Sequence, residues 1–203
     1  MMLNLTLLNS MEIENMFNSK DVQELIDRDA LIKHEEGGYF KVTYVSPDII
    51  AVSPRYEGGE RASSTKINYL LAHDDFSGWH RIKSNETWRF KEGESLTLLI
   101  IGKDGKMTSI KIGDPEKEAD ALLEYTVEKE QWFAAFINNQ QTYSYVECEV
   151  TPGFDYRDWQ LGKKEYLIKQ YPQHTTQILK YSRDEAIKRD DFGAEKESVS
   201  FVR

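Results

Sequence analysis

From Tyr39 to Val150 apolar and polar side chains alternate in short runs separated by turn-forming residues. A period of two is the spacing of a strand with one face buried and one face wet. Tyr39-Phe40-Lys41-Val42-Thr43-Tyr44-Val45 is the first clear strand. The same criterion predicts strands at Thr65–Ala72, Gly78–Lys83, Thr87–Phe90, Ser95–Ile101, Met107–Ile112, Leu122–Val127, Trp132–Ile137 and Tyr143–Val150. Gly102-Lys103-Asp104-Gly105 reads as a hairpin turn, and Thr151-Pro152-Gly153 stops the last strand. Ser53–Arg61, with Pro54 and Gly58-Gly59, and the acidic run Gly113–Asp120, with Pro115, read as loops. Helical spacing occurs only at the ends. Ser19 or Asp21 caps a short helix through Arg28 that sets Val22, Leu25 and Ile26 on one face, and Gly162–Tyr171 and Thr175–Ser182 follow the strands.

Many short strands with helices only at the termini predict an all-β sandwich or barrel, specifically a jelly roll whose mouth can admit a ligand. The 203 residues fit one domain. We expect a flexible N-terminal extension over 1–18, a single domain with flanking helices over 19–182 (jelly-roll core about 31–172), and a charged, mobile tail over 183–203. A net charge of −9 argues against a general binder of nucleic acid or anionic membrane, since those surfaces are themselves negative. Met1-Met2-Leu3-Asn4-Leu5 lacks the basic start and long apolar run of a signal peptide, and no segment has the roughly 20 apolar residues of a membrane span. The one cysteine, Cys148, rules out an internal disulfide and fits a reducing compartment, so a cytoplasmic location is expected. It reads as a buried, inert thiol.

The candidate chemistry lies in Ser77–Gly93, an aromatic-rich stretch holding His80 and Glu86. Alternation places Gly78, His80 and Ile82 on one face and Glu86, Trp88 and Phe90 on one face of the next strand. A turn at Ser84-Asn85 that folds those strands together would bring His80 and Glu86 into one cavity, a titratable base beside a carboxyl group. The alternative is a satisfied core histidine and a glutamate at the rim. Trp79 and Arg81 alternate away from His80 and are expected outside. Gly37-Gly38 reads as a tight turn into Tyr39, because no lysine-serine pair or helix follows as a phosphate loop requires.

The same stretch resembles the first motif of the cupin superfamily: His80, Glu86 and Gly93 occupy three of its places, and Ile82 stands where a second histidine is usual. A longer string is similar to one subgroup, the cupin family called DUF985 or cupin_5. It comprises His34-Glu35-Glu36-Gly37-Gly38-Tyr39-Phe40, Arg61, Ser64–Leu71, Ser77–Arg81, Glu86-Thr87-Trp88 and Val150–Asp155. The likeness runs from about Leu31 to Pro172. Glu35 stands where the family has Pro and Arg89 where His is common. Val127–Phe133 matches the second cupin motif, but Glu128 and Glu130 replace its turn residues and Phe133 takes the place of its metal-binding histidine.

The resemblance implies a double-stranded β-helix, the cupin jelly roll, with short N- and C-terminal helices, and a homodimer. Many cupins hold iron, manganese or zinc, and such a site needs about three protein ligands. Here His80 and Glu86 supply two, so no cofactor is expected and a divalent metal is the lesser alternative; His34, His73 and His174 read as solvated. Sugar-nucleotide epimerases of the superfamily work without metal through a histidine base and a tyrosine acid. His80 as base, Glu86 orienting it, and Tyr69, Tyr143 or Tyr145 as donor would supply that chemistry. Thr65, Tyr69, Trp88, Phe133, Tyr143 and Phe154 are the expected ligand-binding wall, with Arg61 or Arg81 meeting an anionic group and Asp155 and Asp158 serving as caps or solvated charges. The expected partner is a small organic molecule, sugar- or nucleotide-like, and the expected activity epimerase- or isomerase-like proton transfer. The alternatives are a non-catalytic ligand-binding or regulatory cupin and a metal-dependent cupin enzyme.

Overall fold

The computed structural model of the protein describes residues 21–51, 54, 56 and 58–185. The expected 1–18 extension and the tail beyond 185 lie outside the described residues. The backbone is helical over 21–29 (α1). The strands are β1 Ile32–Lys33, β2 Tyr39–Val45, β3 Ile49–Ala51, β4 Glu60–Ala62, β5 Thr65–Ala72, β6 Phe76–Ile82, β7 Asn85–Gly93, β8 Leu96–Ile101, β9 Met107–Ile112, β10 Glu124–Val127, β11 Trp132–Ile137, β12 Tyr143–Thr151 and β13 Trp159–Leu161. Helices α2, Lys164–Gln170, and α3, Thr175–Lys180, follow.

The strands form two main antiparallel sheets, β1-β2-β5-β12-β7-β10 and β13-β6-β11-β8-β9, with β3-β4 as a separate ribbon. The two sheets face one another as a jelly roll. Phe40, Tyr69, Leu71 and Trp88 from the first sheet meet Leu96, Leu98, Ile100 and Phe133 from the second. The alternate residues of the second sheet, Trp79, Leu99, Ile101 and Trp132, are buried under Leu167 of α2 and Ile178 of α3. That double coverage explains why β8 is apolar at nearly every position rather than alternating: both of its faces are buried. On the first sheet, Val22 and Leu25 of α1 pack on Leu70, Ala72 and Tyr145.

Successive strands β6 and β7 do not pair. The chain turns at 83–84 and crosses from one sheet to the other, so β6 pairs with β11 and β13 while β7 pairs with β12 and β10. The expected hairpin at Ser84-Asn85 is therefore a crossover, and His80 and Glu86 reach the interior from opposing walls. Trp79 is also corrected: it is buried under the C-terminal helices, its indole N–H donating to the Gln177 carbonyl at 3.2 Å. Arg81 is half-buried, lying over the Trp132 ring and bonding Gln160. The short strands β1, β3, β4 and β13 were not expected; β4 takes up the end of the predicted 53–61 loop.

One long-range pair fixes the open end of the sandwich. Arg61 on β4 is 1% exposed and bonds Asp158 through Nε and Nη2 at 2.7 and 2.9 Å. Neither residue has the role expected of it, since Arg61 already has its anion and Asp158 is buried rather than solvated. Asp155 does cap, accepting from the Arg157 amide. Replacing Asp158 by Ala strands a buried guanidinium, so a loss of about 3–5 kcal/mol is expected in urea unfolding, with Asp158→Asn intermediate.

Candidate functional site

The turn between β1 and β2 supplies the residue on which the site is built. Gly37 and Gly38 adopt φ of 113° and 69°, and a Cβ on Gly37 would sit 2.1 Å from the Phe76 carbonyl. Only glycine permits that approach. The turn thus presses onto β6, where the Gly78 amide donates to the Glu36 carbonyl at 2.8 Å. Arg183 clamps it from behind, bonding the carbonyls of Glu36 and Phe76 at 2.6 Å each and pairing with Asp75. Gly37-Gly38 is a tight turn, as expected. It aims the side chain of Glu36 into the interior, a position sequence reasoning did not assign to the site.

A β-bulge supplies the partners. Pairing advances from Ser77 to His80 on β6 while β11 advances only from Ala135 to Phe133. The extra residue brings Ser77 and His80, which simple alternation would separate, to the same carboxylate. Ser77 donates to Glu36 Oε1 at 2.8 Å, the Trp159 indole donates to Oε2 at 3.1 Å, and His80 Nε2 lies 3.2 Å from Oε2. His80 Nδ1 is 2.7 Å from the Gly78 carbonyl, so both ring nitrogens face acceptors. His34, expected to be solvated, is buried beside this group and takes the Glu36 amide on Nδ1 at 3.3 Å.

Glu86 enters from β7 and is 8% exposed. Burial and the charge of Glu36 drive its pKa well above the ordinary glutamate range, against a smaller opposing hydrogen bond with Cys148. Glu36 moves the other way: burial pushes it up, but His80, His34 and the bonds from Ser77 and Trp159 together hold it below the ordinary range. The cavity thus holds two carboxyl groups whose proton affinities are driven in opposite directions, Glu36 down and Glu86 up. The expected pairing of Glu86 with His80 is corrected, because the carboxylate in contact with His80 is Glu36.

The cavity is lined by Phe40, Thr65, Ile67, Tyr69, Ile82, Trp88, Cys148, Val150, Phe154, Tyr156 and Trp159 together with the acid–base residues. The space between wall atoms is about 480 Å3 with the open mouth included, but a water-sized centre can occupy only about 30 Å3 of it. The smaller figure corresponds to one or two waters. Of the expected wall, Thr65, Tyr69, Trp88 and Phe154 line the cavity. Phe133 lies behind it, its ring 4.1 Å from that of His80, and Tyr143 is half-buried near α1 instead. Thr65 Oγ1 accepts from the Phe154 amide, holding the mouth segment in place. Tyr69, the one candidate donor among the three tyrosines that reaches the cavity, gives its proton to the Gly37 carbonyl at 2.6 Å. Tyr145 bonds Asp29 under α1.

A sandwich of this topology with a histidine on an inward strand defines a cupin. The chain belongs to the cupin superfamily family DUF985, Cupin_5, whose family model matches residues 23–162. It is similar to an uncharacterised protein of Saccharomyces cerevisiae, 31% identical over 158 residues, covering 73% of this chain and 78% of that one. Among solved structures, a hypothetical protein from Leishmania major superposes with a TM-score of 0.72 at 31% identity, covering 79% of this chain and 97% of that one. A Shewanella oneidensis protein gives 0.70 at 32%, covering 80% and 98%.

The residues present do not fit the metal that many cupins hold. Ile82 and Phe133 offer hydrocarbon where imidazoles would bind, and both nitrogens of His80 and Nδ1 of His34 face protein groups. Among the described residues no group of three or more His, Cys, Asp or Glu side chains is arranged to hold an ion. Nor is any described helix long and apolar enough to cross a membrane.

The opposed carboxyl groups set the pH response. The native state keeps a proton on Glu86 that the unfolded chain releases, so stability falls as pH rises from the ordinary glutamate range toward the raised native value. Glu36 acts oppositely: its contribution is present above the ordinary range and is lost as pH falls through its depressed native value. Thermal unfolding followed against pH should therefore show a decline on the alkaline side that is absent from Glu86→Gln.

Proposed function

We propose that the cavity binds a small organic carbonyl compound and moves a proton at the carbon beside the carbonyl, an isomerase- or epimerase-like reaction. The observation that carries this reading is the pair of carboxyl groups whose environments drive their pKa values apart, Glu36 down and Glu86 up. Two acids separated in this way divide the roles of base and acid.

Glu36 is the base, with His80 and Ser77 fixing its orientation. Its carboxylate takes the proton from carbon, the C–H electron pair becomes a C=C bond, and the carbonyl oxygen receives the Glu86 proton. Glu36 then returns its proton to the neighbouring carbon while the hydroxyl on the first carbon gives its proton to Glu86 and becomes the new carbonyl, which restores both carboxyl groups. His80 lies against Glu36 and helps hold that carboxyl group down, in place of the direct base role its position in the motif implied. The bonded Tyr69 hydroxyl leaves Glu86 as the donor.

A non-catalytic, ligand-holding cupin is the second reading, favoured by the indole N–H of Trp88, which is buried without a hydrogen-bond partner. Solvent-deuterium incorporation at carbon separates the two. The wild-type protein should catalyse exchange into a bound hydroxyketone, and Glu36→Gln or His80→Ala should lower the rate by about 10²–10⁴-fold while the ligand still binds. Binding without any exchange in the wild type would leave only the second reading.

A further inference from the structure

Three features of the cavity bear on what it selects. The first is charge. Among the described residues that line it there is no lysine or arginine, Arg61 at the mouth is held by Asp158, and the Glu36 carboxylate already has His80 against it. An anionic group entering this space would meet a carboxylate and find no cation to receive it, so carboxylates and phosphates are disfavoured. A cation fares little better, because the Glu36 carboxylate is already bonded by Ser77 and Trp159 and lies against His80.

The second feature is Trp88. Its ring is 1% exposed, it lines the cavity, and Nε1 has no partner in the protein. A buried donor left unpaired costs about 1–3 kcal/mol, which an acceptor on a ligand would recover. Tyr69 and Phe133 hold the indole edge-to-face at 5.5 and 6.2 Å, so it is not free to turn toward solvent. The third feature is size. Water-sized molecules can occupy only about 30 Å3 of the cavity, which favours a ligand of very few heavy atoms, and Phe154, Tyr156 and Trp159 are among its walls.

We infer that the cavity selects an uncharged ligand of small size whose carbonyl or hydroxyl oxygen accepts the Trp88 indole N–H, and that it discriminates against the phosphorylated, carboxylated and aminated forms of the same skeleton. The inference rests on the acid–base reading of this cavity and narrows its substrate class from sugar nucleotides to neutral hydroxycarbonyl compounds. Charge neutrality is set by the lack of an unbalanced ion among the described wall residues, and polarity by the Trp88 donor.

The test uses the full-length protein and four three-carbon probes: hydroxyacetone, lactate, dihydroxyacetone phosphate and aminoacetone. Binding is followed by ligand-observed NMR titration, and exchange at carbon is read in the same samples in deuterium oxide. Hydroxyacetone should bind at least tenfold more tightly than each charged probe. Trp88→Phe, which keeps the ring and deletes the donor, should weaken hydroxyacetone roughly five- to tenfold while leaving the melting temperature of the unliganded protein unchanged or raised. Glu86→Gln keeps a donor at its position and should retain binding while losing exchange. Equal or tighter binding of a charged probe, no binding of hydroxyacetone, or an affinity indifferent to Trp88→Phe would overturn the inference. Neutral-selective binding with no exchange in the wild type would sustain the inference and sink the proton-transfer reading instead.

Discussion

The structure turns on an ionised carboxylate placed inside a β-sandwich. Moving an isolated carboxylate into such an interior costs several kcal/mol even after relaxation, so Glu36 must be fully answered by its neighbours. Ser77, Trp159 and His80 answer it, and each depends on a separate structural device. Ser77 and His80 need the bulge in β6, Trp159 needs the returning strand β13, and Glu36 itself needs a turn that only Gly37-Gly38 can make. Arg183 then closes the back of that turn through two carbonyls. The carboxylate is the point at which the turn between β1 and β2 of one sheet meets β6 and β13 of the other.

The opposed carboxyl pair sits in a largely apolar setting. Ile82 and Phe133 place hydrocarbon where a cupin metal would otherwise have imidazoles, and this lowers the polarity around Glu86. A carboxyl group in such surroundings, with a second carboxylate nearby, keeps its proton. Had those positions been histidines, Glu86 would have had cations or a metal to ionise against. Burial among such side chains and the charge of Glu36 are what drive the Glu86 carboxyl group up.

Much of the fold was legible because alternation is a local property. The strands at Tyr39–Val45, Thr65–Ala72, Met107–Ile112 and Trp132–Ile137 have their predicted bounds. Strands of two or three residues, such as β1, β4 and β13, are too short to show a period. Within the site, Thr65, Tyr69, His80, Glu86, Trp88 and Phe154 come together at the cavity. Glu36 and His34 did not announce themselves, because a polar residue in a glycine turn looks solvated until the turn is known to fold inward. The Gly37-Gly38 pair was the available signal: two left-handed glycines mark a backbone that approaches something closely. The bulge defeated alternation at Ser77, and the crossover after β6 defeated the inference that neighbouring strands pair. Arg61 and Asp158 are far apart in sequence, so no spacing rule joins them.

The segment from Phe154 to Trp159 ties cavity shape to cavity charge. Phe154 is hung from Thr65 on β5, Asp158 is bound to Arg61 on β4, and Trp159 holds Glu36. The aromatic rings that narrow the mouth are therefore carried on the same short stretch that helps keep the carboxylate ionised. A shift of this stretch large enough to admit a bulky ligand would withdraw the indole N–H from Glu36 and expose the Arg61–Asp158 pair. Both changes oppose it, since one weakens the support of a buried charge and the other disturbs a buried ion pair. Small ligands that leave the segment in place keep both intact, so the size limit of the cavity follows from its electrostatics as much as from its walls.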